Sequence, residues 1–394
     1  MTLVEVQIKP FGTERIRVFK RHLKLGLIKG GQLGRMMLQS APSFDIQSFV
    51  MDDDINCPCR HLCHEFTQGD AMNFDDVYAF GKKVDVLTFE YEHIHVEALK
   101  KLKAEGLSIF PDPDIIELVQ DKGRQKEFYR RHNIPTADFQ IVPNRLALKA
   151  CTDFFPAVQK TCKAGYDGKG IYKLRDEHDI PGAFNTPSVL EKHIDFDKEI
   201  AIILARNIDG EVVVYRPVEM VFHPQKNLVE FLQCPADISA DIEKKATTLA
   251  MYLLRELNLV GVLAVEMFVT KSGEVLVNEI APRVHNSGHH TIEGALTSQF
   301  EQHLRAVMGL PLGLTDMTLP AVMVNLLGAA DYEGKAIYQG VEKALALGGV
   351  YIHLYGKTNT RPFRKMGHAT IVDQSINSAL EKAQQVKEFI KIVS

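Results

Sequence analysis

The sequence predicts a chain of mixed class, α/β at its N-terminal end and α+β beyond it. Three observations carry that expectation. Strand-like segments alternate with helical patterns up to about residue 114, the arrangement that implies a parallel sheet. Strand patterns then dominate from Ala157 to Val221. An apolar run, Leu259–Thr270, is followed by Lys271-Ser272-Gly273-Glu274 and then Val275–Glu279, which reads as strand, tight turn, strand. At 394 residues the chain has room for two or three domains of roughly 150 residues each.

The elements follow in order. Leu25–Met37 reads as a short strand, a glycine turn and a helix start, and strands recur at Ile46–Met51 and Val84–Phe89. Helical patterns occupy Asp75–Lys83 and Val96–Glu105, and the unit ends near Pro111-Asp112-Pro113-Asp114. A single helix is expected over Ile115–His132, closed by Asn133-Ile134-Pro135. Strands are expected at Ala157–Lys163, Gly170–Leu174, Ser188–Glu191, Glu199–Ala205 and Val212–Val221. Asp237–Leu257 has helical spacing, with Ile242, Ala246, Leu249, Ala250, Leu253 and Leu254 on one face. Thr291–Met308 is a further helix, and the tail from Leu319 is strand-rich and ends in a helix, Ser375–Ile390.

Composition narrows the function class. Hydrophobic content of 45% and charged content of 24% are ordinary for a soluble globular enzyme. A net charge of −4 gives no electrostatic case for nucleic acid as a partner. No run approaches the 18 or so apolar residues that a membrane span needs. Cys57, Cys59, Cys63, Cys151, Cys162 and Cys234 sit in a chain long enough to build a core without disulfides, so a reducing, cytoplasmic setting is expected. Cys57-Pro58-Cys59-Arg60-His61-Leu62-Cys63-His64 is too tightly spaced for the usual zinc sites. In residues 1–24, Lys9, Arg15, Arg17, Lys20, Arg21 and Lys24 outweigh Glu5 and Glu14 without an apolar core of a signal peptide, which reads as a basic extension.

The chemistry concentrates in Asn278–His290, whose 13 residues hold one carboxylate, one arginine, three histidines, two asparagines and a serine. If Ser272-Gly273 is a two-residue hairpin loop, Glu266 and Glu279 face each other across the ladder, with Cβ atoms roughly 5 Å apart. Like charges so placed are destabilising unless a cation lies between them. A magnesium ion bridging nucleotide phosphates fits, because it takes few ligands from carboxylates. A second cluster, Lys160–Gly170, lies between two strands. Gly165, Gly168 and Gly170 let its backbone approach a ligand, and Lys160, Lys163 and Lys169 supply charge. It lacks the Walker spacing and suits a hairpin lid over β- and γ-phosphates, with Lys160 in the strand beneath.

Six segments in order resemble N5-carboxyaminoimidazole ribonucleotide synthetases, a family of ATP-grasp ligases: Gly30–Met36, Gly165-Tyr166-Asp167-Gly168-Lys169-Gly170, Asn278–His289, Thr297–Arg305, Met323–Gly328 and Arg361–His368. The resemblance runs from about Leu25 to the C-terminus. It implies a Rossmann-like N-terminal domain over residues 25–114, an ATP-grasp domain over 115–310 with a lid subdomain at about 135–195, and a small strand-rich C-terminal domain over 311–394. It also implies a homodimer that uses ATP, Mg2+, bicarbonate and 5-aminoimidazole ribonucleotide. Neither nucleic acid nor membrane is an expected partner.

The resemblance also implies residue roles. Glu266 and Glu279 hold the metal. Lys122, Lys160 and the Gly165–Gly170 lid meet the phosphates. The backbone of Glu191-Lys192-His193-Ile194 reads the adenine, Glu199 the ribose hydroxyls, and His223 and Asn278 line the nucleotide site. Arg283 and His285 stand where bicarbonate meets the transferred phosphate. Lys357, Arg364 and the Gly31-Gln32 turn at a helix N-terminus suit the substrate's own phosphate, and Glu90 or Glu92 its ribose. Four departures stand out: Lys29 and Phe363 at usual glycines, Ala164 at a lid glycine, and Lys122 at a usual arginine. An ATP-grasp ligase with another acceptor is the alternative reading, against which Arg361–His368 argues. A nucleotide-binding protein without turnover is another, against which the presence of both Glu266 and Glu279 argues.

Overall fold

The computed structural model describes residues 22–163, 170–222 and 229–394. Residues 1–21 of the basic extension, Ala164, lid residues Gly165, Tyr166, Asp167, Gly168 and Lys169, and His223 lie outside them, whereas Lys24 opens the first strand.

The N-terminal strands β1 (Lys24–Ile28), β2 (Gln47–Asp52), β3 (Glu65–Gln68), β4 (Val86–Phe89) and β5 (Ser108–Ile109) form a sheet in the order β3-β2-β1-β4-β5. All of its pairings are parallel. Leu25, Leu27 and Ile28 are fully buried, as expected for a central parallel strand covered on both faces. The edge strands β3 and β5 carry too little apolar pattern to be read from sequence. Helix α1 (Gln32–Ser40) follows β1, with α2 (Phe74–Gly81) and α3 (Val96–Ala104) further along. The direction of winding reverses between β1 and β4, which opens a crevice beyond their C-terminal ends.

The expected helix 115–132 is two helices, α4 (Pro113–Val119) and α5 (Lys122–Arg131). The Asp121 side chain breaks it by accepting from the N–H groups of Gly123 and Arg124 at 2.9 and 3.2 Å, an N-cap that restarts the helix. Lys122 therefore sits at the first position of α5, facing the crevice. Next come β6 (Phe139–Val142), β7 (Ala157–Thr161), β8 (Ile171–Leu174) and β9 (Ser188–Lys192), an antiparallel sheet in the order β6-β9-β7-β8.

Then follow β10 (Phe196–Arg206), β11 (Val212–Val214), β12 (Val218–Phe222), β13 (Val229–Cys234), α6 (Ala240–Glu256), β14 (Gly261–Thr270), β15 (Val275–Ala281), α7 (Thr291–Gly294), α8 (Gln299–Val307) and β16 (Ala321–Leu327). The expected strand 212–221 is interrupted at Arg216-Pro217, where proline cannot donate to the ladder. Helix α6 buries Ala246, Ala250, Leu253 and Leu254 against β10 and β14, the face its spacing marked. The expected helix 291–308 is split, because Ser298 caps a new start by accepting from the N–H of Glu301.

The C-terminal elements are β17 (Gly334–Lys335), β18 (Ile337–Gln339), α9 (Val341–Leu345), β19 (Val350–Leu354), β20 (Asn359–Thr360), β21 (Lys365–Val372), α10 (Ile376–Phe389) and β22 (Lys391–Val393). Their main strands build no sheet of their own. Among the described residues, one nine-stranded sheet runs β15-β14-β10-β12-β13-β16-β21-β19, with β11 beside β10. The C-terminal strands β21 and β19 thereby extend, at its far edge, the same sheet whose other edge is the hairpin that carries the acidic pair.

Candidate active site

The β14–β15 hairpin differs from the expected one in a way that shapes the site. Its loop has three residues, Lys271–Gly273, with Gly273 left-handed at φ 78°. The N–H of Gly273 donates to the carbonyl of Thr270, and the N–H of Thr270 to that of Glu274, both at 2.9 Å. This register pairs Met267 with Val277 and, continued, would set Asn278 opposite Glu266. A bulge at Asn278 inserts one residue, so Glu266 pairs with Glu279 after all. Both bulge side chains serve the same cleft: Asn278 Oδ1 accepts from Lys160 Nζ at 2.9 Å, and Glu279 Oε2 from Lys122 Nζ at 3.0 Å.

The acidic pair is electrically uneven. Glu279 is drawn down to about 2, chiefly by Lys122. Glu266 is pushed well above the carboxylate range by burial, then by Glu279 and Glu199. Burial and the neighbouring carboxylates thus favour the protonated form at Glu266, while Lys122 favours the ionised form at Glu279. The donors are oxygen-only, the kind that hard divalent cations take. Among the described residues, no three His, Cys, Asp or Glu side chains cluster to form a complete metal cage, so phosphate and water would have to finish any ion's shell.

Behind the pair lies a buried ladder of charge. Lys160 Nζ lies 2.9 Å from Glu191 Oε2, and Lys126 Nζ 3.1 Å from Glu191 Oε1. Burial alone would raise Glu191, but the two lysines outweigh it and hold it low. The Glu191 carboxylate therefore serves lysines. The N–H groups of Lys192 and His193 are taken by the carbonyls of Asp138 and Pro156 at 2.8 and 2.9 Å. Glu199 is pushed up to about 7, mainly by burial. Its Oε1 accepts a long hydrogen bond of 3.5 Å from Asn278 Nδ2.

Two cavities meet here. The larger, about 970 Å³, is lined by Lys160, Glu191–Ile194, Glu199, Glu266, Asn278, Lys357 and Arg364. The smaller, about 370 Å³, lies between the N-terminal sheet and the hairpin and is lined by Glu90, Glu92, Lys122 and Arg283. Gln32, Glu279, His285, Asn286 and Lys365 line both. His285 Nδ1 is 2.9 Å from Ser287 Oγ and 3.7 Å from Glu266 Oε1.

The two acids at the end of β4 part company. Glu92 pairs with Arg283, Oε1 to Nε at 2.8 Å, and Arg283 Nη2 donates to Oε2 at 3.1 Å. Glu90 is half-buried and accepts from the N–H groups of Gly31 and Gly34 at 2.5 and 2.6 Å. This corrects the expectation for the Gly31-Gln32 turn: the helix N-terminus there already holds a carboxylate. A phosphate cannot use the Gly31 N–H while Glu90 does, and Gln32 faces the cleft through its side chain. On the far wall, Lys357 Nζ donates to the carbonyl of Lys365 at 2.7 Å, and Arg364 Nη1 to that of Asn359 at 2.5 Å.

With this geometry in hand, similarity to known proteins is informative. Residues 22–120 match the ribonucleotide synthetase preATP-grasp domain, 127–300 the ATP-grasp domain and 321–382 the phosphoribosylaminoimidazole carboxylase C-terminal domain. The N5-carboxyaminoimidazole ribonucleotide synthase of Bacillus subtilis is 36% identical over 356 residues, covering 89% of this chain and 91% of that protein. The chain belongs to the N5-carboxyaminoimidazole ribonucleotide synthetase family. The crystal structure of the Thermotoga maritima synthetase superposes with a TM-score of 0.88 at 42% identity, covering 94% of this chain and 99% of that one. A chloroplastic phosphoribosylaminoimidazole carboxylase of Vigna aconitifolia is 37% identical over 90% of this chain, which spans 65% of that protein's length.

Against the family pattern, Lys29 and Phe363 keep the backbone that their glycines would favour, with φ 70° and 61°. Lys29 does not offer a loose cation to the cleft: Nζ pairs with Asp53 and lies 3.7 Å from Asp52. Lys126 escaped sequence reasoning, although Lys122 and Lys126 stand one helical turn apart on a face that points inward. Lys365, inside the Arg361–His368 segment, lines both cavities. Gln299, inside the Thr297–Arg305 segment but given no role there, holds the His285 backbone from both sides.

Proposed function

We propose that the protein carboxylates 5-aminoimidazole ribonucleotide with bicarbonate and ATP, giving N5-carboxyaminoimidazole ribonucleotide, ADP and phosphate in purine biosynthesis. The observation that carries this reading is the Glu266–Glu279 pair at the junction of two cavities, short of positive charge on one side and backed by lysines on the other. The larger cavity suits ATP. Ile194 and the carbonyls around it would meet the adenine, Glu199 the ribose, and Lys160, Lys122 and the Gly165–Gly170 lid the phosphates. Glu266 and Glu279 would hold Mg2+, which neutralises phosphoryl charge as it develops.

In the first step a bicarbonate oxygen bonds to the γ-phosphorus as the bond to ADP breaks, giving carboxyphosphate. The exocyclic amine then bonds to the carboxyl carbon, phosphate leaves, and the amine proton departs with it. Arg283, steadied by Glu92, and His285 would orient the small oxyanion where the cavities join. Lys357 and Arg364 would take the substrate's phosphate. Exclusion of water from the smaller cavity once the substrates fill it would limit hydrolysis of the labile intermediate. Six cysteines without a disulfide fit a cytoplasmic protein. Among the described residues no helix is long and apolar enough to cross a membrane. We keep the homodimer that the family resemblance implies. ADP release measured with bicarbonate, with and without aminoimidazole ribonucleotide, tests the reading. Release that ignores both co-substrates would contradict it.

A further inference from the structure

His289 lines the smaller cavity beside Arg283, His285 and Lys365, yet the chemistry above leaves it without a task. Its side chain is almost completely buried and held by rings. The centroid of Phe300 lies 5.8 Å away and that of His368 4.7 Å, with Tyr355 edge-on at 6.4 Å. His368 is itself stacked on His353 at 4.5 Å and has Nδ1 3.0 Å from the Tyr355 hydroxyl. Such a ring has one pose.

Its protonation pattern is fixed from the other side. The Gln299 amide is oriented by the His285 backbone: Oε1 accepts from the N–H at 2.9 Å, and Nε2 donates to the carbonyl at 2.7 Å. That orientation leaves the second Nε2 hydrogen directed at His289 Nδ1, 3.4 Å away. Nδ1 is then an acceptor, and a neutral imidazole with an accepting Nδ1 carries its proton on Nε2. Burial, with His368, His285, Lys365 and His353 nearby, keeps the ring neutral. Among the described residues Nε2 has no protein partner. A neutral N–H aimed by its surroundings, unable to lose its role by titration near neutral pH, suits an oxygen on which negative charge grows.

We propose that His289 is a catalytic hydrogen-bond donor whose Nε2–H binds an oxygen of bicarbonate and, as the carboxyl carbon passes to the amine, of the carboxylate being formed. This rests on the function proposed above. The imidazole neither gains nor loses a proton in the cycle. Its task is to hold the oxyanion and to favour charge there as the C–N bond forms.

Two measurements test it. Nitrogen-15 spectra of the wild-type imidazoles should show His289 protonated at Nε2 and bare at Nδ1 at pH 7, with the Nε2–H signal moving when bicarbonate is added to the MgADP complex. A proton on Nδ1, or an Nε2–H signal blind to bicarbonate, overturns the proposal whatever the turnover data show. In kinetics, His289→Leu should lower kcat/KM for bicarbonate about 100-fold, the usual scale for losing an oxyanion donor, with ADP affinity unchanged. His289→Gln, which restores an N–H near the same place, should stay within about tenfold of wild type. Equal losses in both variants, or near-native rates in His289→Leu, contradict it. Wild-type ADP release independent of bicarbonate would instead sink the functional reading, while the tautomer would still be decided by the spectra.

Discussion

The two walls of the cleft hold carboxylates in opposite ways. On the N-terminal wall, Glu90 is surrounded by donors of its own chain, the N–H groups of Gly31 and Gly34. Burial raises it and these bonds lower it, and nothing further is required of a ligand. On the hairpin wall, Glu266 faces Glu279 across the ladder, and Lys122 pairs with Glu279. Glu266 is left to carry a proton or await a cation. A carboxylate satisfied from within holds a structure together; a carboxylate left short of charge marks where a ligand belongs.

The largest expected effect follows from the unsatisfied side. Glu266→Gln or Glu279→Gln should nearly abolish ADP release while the fold persists. Removing one carboxylate from a bridging metal takes away charge stabilisation of several kcal/mol. Circular dichroism would confirm the fold, and near-native rates at saturating magnesium would erase the contrast between the two walls.

Next comes the substrate's phosphate. With Glu90 filling the α1 N-terminus, the proposal gives that phosphate to Arg364 and Lys357. Arg364→Ala should therefore raise KM for aminoimidazole ribonucleotide roughly ten- to a hundredfold, from about 1.5–3 kcal/mol for a hydrogen bond to a charged partner. KM for ATP should barely change. A uniform loss toward both substrates would assign Arg364 to holding the turn between β20 and β21.

The satisfied wall should fail differently. Glu90→Ala leaves two buried N–H groups without their acceptor and should cost about 2 kcal/mol. The melting temperature should drop by a few degrees, with no change in the magnesium requirement. A shifted magnesium dependence would mean that Glu90 reaches the metal after all. The smallest effect is at Phe363, whose left-handed φ of 61° a glycine adopts without strain. Phe363→Gly should stabilise by about 1 kcal/mol in thermal denaturation; destabilisation would show that the phenyl ring contributes more in packing than the backbone loses.

How far the sequence discloses this arrangement depends on the range of the interactions. The buried face of α6 and the apolar run of β1 follow from local periodicity and are where their spacing puts them. The acidic pair is also opposite, but for a reason the sequence does not display. The loop is one residue longer than Ser272-Gly273, and the bulge at Asn278 compensates. A bulge is stabilised by what its side chains reach, here Lys160, 118 positions away. Glu90 and the Gly31 turn meet across 59 residues, and the choice between Glu90 and Glu92 waits on Arg283, 191 positions from Glu92. The break at Asp121 was readable in principle from its capping side chain. The role of Gln299 was not, since it acts on backbone groups that any residue at His285 would present.

The central claim is that the Glu266–Glu279 pair is completed by a magnesium ion carried with the nucleotide. Thermal stabilisation by ADP, with and without magnesium, tests it in wild type and in the double variant Glu266→Gln/Glu279→Gln. At nucleotide near 100 times its dissociation constant, wild type should gain about 2.7 kcal/mol with MgADP. It should gain clearly less with ADP alone, and the double variant should lose the difference between the two. Equal stabilisation of wild type by ADP with or without magnesium, or a magnesium increment that survives in the double variant, would contradict the account.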